Sequence, residues 1–160
     1  MDQIKILRQE LARLVSGAGA HADFDAAVKS FPPNLRDAKP AGAPHSAWEI
    51  LEHIRIAQWD MLEFSRNPKH VSPDWPSGYW PKQAAPPDDE AWDQSVKEIR
   101  ADLKAMQKLV SDESSDLFTP FAHGEGQTLL REALQVADHN AYHVGELIFL
   151  RRLLGAWPPK

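Results

Sequence analysis

At 160 residues, with 42% hydrophobic and 26% charged residues, the chain has the length and balance of one globular domain able to bury a core, residues 1–160 as a single unit. A net charge of −5 opposes the basic footprint that nucleic acids select, and the lack of cysteine excludes disulfides, thiolate metal sites and a cysteine nucleophile. No stretch approaches the ~18 apolar residues that cross a bilayer, and the opening MDQIKILRQELARL lacks an apolar signal-peptide core, so neither membrane nor nucleic acid is an expected partner and the expected compartment is the cytoplasm.

Four segments carry a helical period. In the first, Ile4, Leu7, Leu11 and Leu14 step by three and four, and Gly17 offers a stop. Residues 18–45 predict a short helix with Phe24, Ala27, Val28 and Phe31 on one side, then a proline-rich stretch. The second long helix opens at Ser46 with Glu49 three residues on, a reciprocal capping pair, and runs to about Arg66 with Ala47, Ile50, Leu51, Ile54, Met61 and Leu62 on its apolar face. Residues 67–87 hold six of the thirteen prolines together with Trp75, Tyr79 and Trp80. A connection so long and so aromatic is packed over something, either the end of the bundle or a substrate. The third helix starts after Pro86 and Pro87, where Asp88, Asp89 and Glu90 suit a helix N-terminus. Its Trp92, Val96, Ile99, Leu103, Met106 and Val110 form the seam of a bundle. The fourth runs from about Gln127 to Leu154 and stops at Gly155. The fold class is therefore all-α, a four-helix bundle.

The chemistry concentrates in the fourth helix. His139 and His143 are four residues apart, one turn above each other on one face, where two imidazoles can grip one metal ion. On a helical wheel Glu132, Gln135, His139, His143 and Glu146 make a narrow polar stripe beside the apolar arc, which calls for partners or a ligand unless it is simply a solvated face. His53 flanks the apolar face of the second helix. It reads either as an ordinary boundary histidine or as a third nitrogen ligand, the pattern of a site with an open position. His21, His45, His70 and His123 read as surface residues. Trp48 and Trp59 are candidates for a dimer face, and the Arg151–Arg152 pair complements a helix C-terminus.

The segments HSAWEILEHIRIAQWDMLEF (45–64) and GEGQTLLREALQVADHNAYHVGELIFLRRLLGAW (124–157) resemble the DinB superfamily, and helix order and loop placement agree over most of the chain. The resemblance implies an up-down-down-up four-helix bundle, a homodimer, and a divalent metal site made of His53, His139 and His143. Many relatives have glutamine three residues after the last histidine; here it is Glu146, a candidate catalytic carboxylate. Nickel or zinc suits three imidazoles. The activity implied is a metal-dependent transferase in which a low-molecular-weight thiol attacks a small-molecule electrophile. The alternatives are a hydrolase using metal-bound hydroxide with Glu146 as base, or a non-catalytic metal-stabilised dimer with a binding or stress role.

Overall fold

The structure is a computed structural model that describes residues 2–159. Capping decides where each helix begins. Asp2 accepts from the Ile4 amide at 3.0 Å and starts α1 (Gln3–Val15). Asp23 starts the short α2 (Phe24–Val28). Ser46 and Glu49 form the expected capping box at the head of α3 (Ala47–Arg66). Asp88 and Thr128 cap α4 (Asp89–Ser111) and α5 (Leu129–Leu153), accepting from the Ala91 and Arg131 amides. Each such cap is worth roughly 1 kcal/mol. Two short 3-10 turns, Pro33–Leu35 and Ser77–Tyr79, complete the elements, and no strand occurs among the described residues. None of the described helices is long and apolar enough to cross a membrane.

The four long helices are compatible with a four-helix bundle: α3 packs against α4 and α5, and α1 against the same two. The apolar side chains gather in two clusters. One holds Phe24, Phe31, Ile50, Ile54, Trp92, Ile99 and Leu147; the other holds Leu11, Leu62, Met106, Val110, Leu129 and Val136. Leu103 touches both. Between them lie Gln58 of α3 and His139, Asn140 and His143 of α5, a polar belt that shares only the two histidines with the stripe read on α5.

Three expectations need correction. The buried face of α1 is Arg8, Leu11 and Val15, while Ile4 and Leu14 are exposed at 41% and 48%. The reason is Arg8: its guanidinium donates to the carbonyls of Val110 (2.8 Å) and Ser115 (2.5 Å), capping the C-terminal end of α4 while its stem lies on apolar surface. Arg151 stands in the last turn of α5, as a dipole complement would, but it does more than complement the helix end. It is 1% exposed, donates to the carbonyls of Ala27 and Lys29, and lies over the ring of Phe31. Trp48 is buried in the core and is not part of an exposed face.

Replacing Trp92, 2% exposed, by alanine should destabilise the protein by ~3–5 kcal/mol. Ile4→Ala, at an exposed position, should change stability by less than ~0.5 kcal/mol. Equilibrium denaturation of the two variants checks the assignment, and equal effects would refute it.

Candidate metal centre

Helix geometry brings the three histidines to one place. His53 lies in the first half of α3; His139 and His143 are one turn apart on the facing α5. One ring nitrogen from each lies within 4.8 Å of the others, and Nε2 of His53 is 3.1 Å from Nε2 of His139. His53 and His143 are buried and His139 half-buried. The group could hold a metal ion, and no carboxylate belongs to it.

Hydrogen bonds on the far side of each ring settle which nitrogen is free. His53 Nδ1 is 2.8 Å from the Tyr79 carbonyl, which can only accept, so Nδ1 carries the proton and Nε2 a lone pair. His143 Nδ1 donates to Glu146 Oε2 at 2.9 Å, with the same result. For His139 the assignment begins at a backbone carbonyl. Gln58, wholly buried, donates from Nε2 to the Ile99 carbonyl at 2.8 Å, which turns its Oε1 toward Asn140. Asn140 Nδ2 donates to that oxygen at 2.6 Å, which leaves Asn140 Oδ1 facing His139 Nδ1 at 3.5 Å. Each Nδ1 thus faces an acceptor, and the lone pairs of His53 and His139 meet Nε2 to Nε2.

Two lone pairs 3.1 Å apart repel unless a proton or a cation lies between them. With each Nδ1 carrying the ring proton, a further proton between the Nε2 atoms would make one ring cationic, which is disfavoured. Burial, with His143 and His53 nearby, pushes His139 down to about 4, and burial is also the main cause that lowers His53. A cation fits: nitrogens ~2.1 Å from one ion and subtending ~90–110° lie ~3.0–3.4 Å apart. The hydrogen bond from His143 holds Glu146 below the usual carboxylate range, so this neighbour is ionised at neutral pH.

The loop expected to cover either the bundle end or a substrate covers the site. Trp80 stacks on the ring of His53, with centroids 3.9 Å apart and planes within 1°. His45 stacks on Trp80 at 3.9 Å. His45 is therefore part of the wall of the site, not a free surface residue. Nor is His70: its side chain is 6% exposed and its Nε2 lies 2.7 Å from Asp60 Oδ1. Only His21 and His123 keep the surface placement expected of them. Of the remaining polar stripe, Glu132 is buried, which raises its pKa, and Gln135 is exposed. Gln58, Asp60, Tyr79, Trp80 and Asn140 were not singled out from sequence as site residues. Asp60 carried a signal, since it falls seven residues after His53 and so on the same flank of α3.

A family model of the DinB superfamily matches residues 18–147, a span that includes all three histidines and Glu146. No curated protein and no solved structure matched the chain. The match extends over most of the chain, which therefore belongs to the DinB superfamily.

Wild-type protein should bind close to one equivalent of zinc or nickel. Alanine at His53, His139 or His143 should weaken that affinity by more than ~100-fold, judged against the ~10–100-fold that loss of an outer partner costs. His21→Ala should leave it unchanged. Chelator competition measures both, and tight binding by the triple variant would remove the centre.

Proposed function

We propose that this chain is a metal-dependent transferase: His53, His139 and His143 hold one divalent ion, nickel or zinc, and a low-molecular-weight thiol attacks an electrophilic small molecule beside it. The observation that carries the reading is the shared orientation of the rings, each Nδ1 facing an acceptor and the His53 and His139 Nε2 atoms 3.1 Å apart. When bound, a divalent ion on three neutral imidazoles supplies Lewis acidity that lowers the pKa of a thiol or of water.

The residues of the chain supply the rest. Burial keeps His53 and His139 neutral, the form that ligates. Glu146 orients His143 through Oε2, and its Oε1, without a hydrogen-bond partner among the described residues, is placed to accept the thiol proton. A cavity of about 300 Å³ bounded by His45, Ile50, Glu146, Phe149 and Leu153 offers room for an apolar part of the electrophile. Trp80 shields one face of the His53 ring from water. The same Glu146 oxygen would serve hydrolysis, the second reading; a requirement for added thiol separates the two.

We take the chain as one domain and the bundle as up-down-down-up. Glu52 with Ser95 and Gln58 with Ile99 advance together along α3 and α4, which supports parallel helices. His53 with His143 and Gln58 with Asn140 run in opposite senses on α3 and α5. Arg8 with Val110, and Val15 lining one cavity with Leu103, do the same for α1 and α4. A homodimer is supported by exposed Tyr142, Phe149 and Leu153, which fall within ~40° of one another on α5 at ~100° per residue.

Metal-loaded protein should turn over alkylating or arylating electrophiles only with added thiol. Glu146→Gln should lower that rate ~100-fold or more at saturating metal, with the ion still bound. Turnover without thiol, on esters or amides, would instead establish the hydrolase. Sedimentation at micromolar protein should give a species of twice the chain mass; a monomer alone would remove the dimer.

A further inference from the structure

Asp60 lies two turns beyond His53 on α3, is 8% exposed, and belongs to no ligand group. Its carboxylate makes two hydrogen bonds, each to the connection at 67–87. His70 Nε2 meets Oδ1 at 2.7 Å, and the Tyr79 hydroxyl donates to Oδ2 at 2.6 Å. A carboxylate so buried is tolerated because both oxygens are met. The two partners stand near the start and in the middle of the connection, so one side chain of α3 staples it down twice.

What the staple holds is the backbone at Tyr79. The turn Ser77–Tyr79 is closed by the Gly78 amide on the Asp74 carbonyl (2.7 Å) and the Tyr79 amide on the Pro76 carbonyl (3.2 Å). It folds so tightly on its own chain that a Cβ at Gly78 would come within 2.8 Å of Pro73 Cβ. From this turn the Tyr79 carbonyl accepts from His53 Nδ1 at 2.8 Å, and the next residue, Trp80, stacks on the same ring. Helix α3 fixes the Cβ of His53 but not the plane of its ring or the site of its proton, since a neutral imidazole exchanges tautomers unless a partner selects one.

We propose that Asp60 is a positioning residue of the three-histidine centre: by holding Tyr79 and His70 it fixes the connection so that the Tyr79 carbonyl sets the tautomer and ring plane of His53. The inference rests on reading the three histidines as a metal centre. Asp60 acts at a distance, through the ring and backbone of Tyr79, and touches no reacting group. The connection is then a fixed wall of the site.

The test uses the full chain and cobalt(II), whose visible absorption reports coordination. Cobalt affinity by chelator competition, the cobalt spectrum, and the thermal midpoint of the metal-free protein are compared among wild type, Asp60→Ala, Asp60→Asn and Tyr79→Phe. Asp60→Ala and Tyr79→Phe should bind cobalt ~10–100-fold more weakly with an altered spectrum. Asp60→Asn, whose amide oxygen still accepts from Tyr79 and whose amide group can donate to the His70 ring, should restore both toward wild type. A purely structural role would lower the midpoint and leave affinity and spectrum alone. Should Asp60→Ala fail to fold, Tyr79→Phe, which deletes one hydroxyl, decides. Wild-type affinity and spectrum in Tyr79→Phe would overturn the inference and leave the metal centre standing. Wild-type protein that takes up no cobalt would overturn the centre and this inference with it.

Discussion

A neutral imidazole has one nitrogen that can only donate and one that can only accept, and burying it between apolar layers obliges the surroundings to answer both. The belt across this bundle answers the donors with Tyr79, Asn140 and Glu146 and turns the His53 and His139 acceptors toward each other. Much of the unusual placement nearby follows from that arrangement. Gln58 is wholly buried because it must carry the orientation set by the Ile99 carbonyl across to Asn140. The connection between α3 and α4 brings one carbonyl, that of Tyr79, from the turn Ser77–Tyr79 to His53 Nδ1.

The apolar side chains fall into two clusters, and two buried arginines tie helix ends together. Arg8 links α1 to the end of α4, and Arg151 links α5 to the C-terminal end of α2. A guanidinium buried for its charge alone would be costly, and burial does lower the pKa of Arg151. Each is retained because it satisfies carbonyls that a helix terminus leaves without partners, where no apolar side chain could substitute.

What was legible in the sequence follows from how local each signal is. The capping pair Ser46–Glu49, the seam of α4 and the spacing of His139 and His143 depend on neighbours within a turn or two, and each appears as expected. His53 joins the pair because α3 faces α5, which the period alone left open and the family resemblance supplied. The misplaced residues depend on contacts far along the chain. Arg8, which no local pattern marks, is buried because the end of α4, more than a hundred residues on, lies beside it. His70 reads as a surface residue until Asp60 is seen beneath it. Leu14 completes an apolar period on α1, yet the helix is turned so that Arg8 and Val15 occupy the inner line. Periodicity finds an apolar stripe but cannot tell that a long cation with carbonyls to cap will displace one of its members.

The charges around the centre narrow what it can recruit. Burial favours the neutral form of His53 and His139, Glu146 is ionised, and among the described residues no lysine or arginine belongs to the ring of contacts formed by Trp80, His45, Tyr79 and Asn140. Without a cation on the three nitrogens, the ionised Glu146 would repel a thiolate. A divalent ion on the three nitrogens reverses that sign, and with low-dielectric walls on both sides the reversal acts at short range with little screening. Affinity for an anionic nucleophile and occupancy by the ion are then the same property of the site. On the proposed transferase reading, selection of a thiol over other anions would fall to the apolar cavity beyond Glu146 and to the soft character of sulfur toward nickel or zinc.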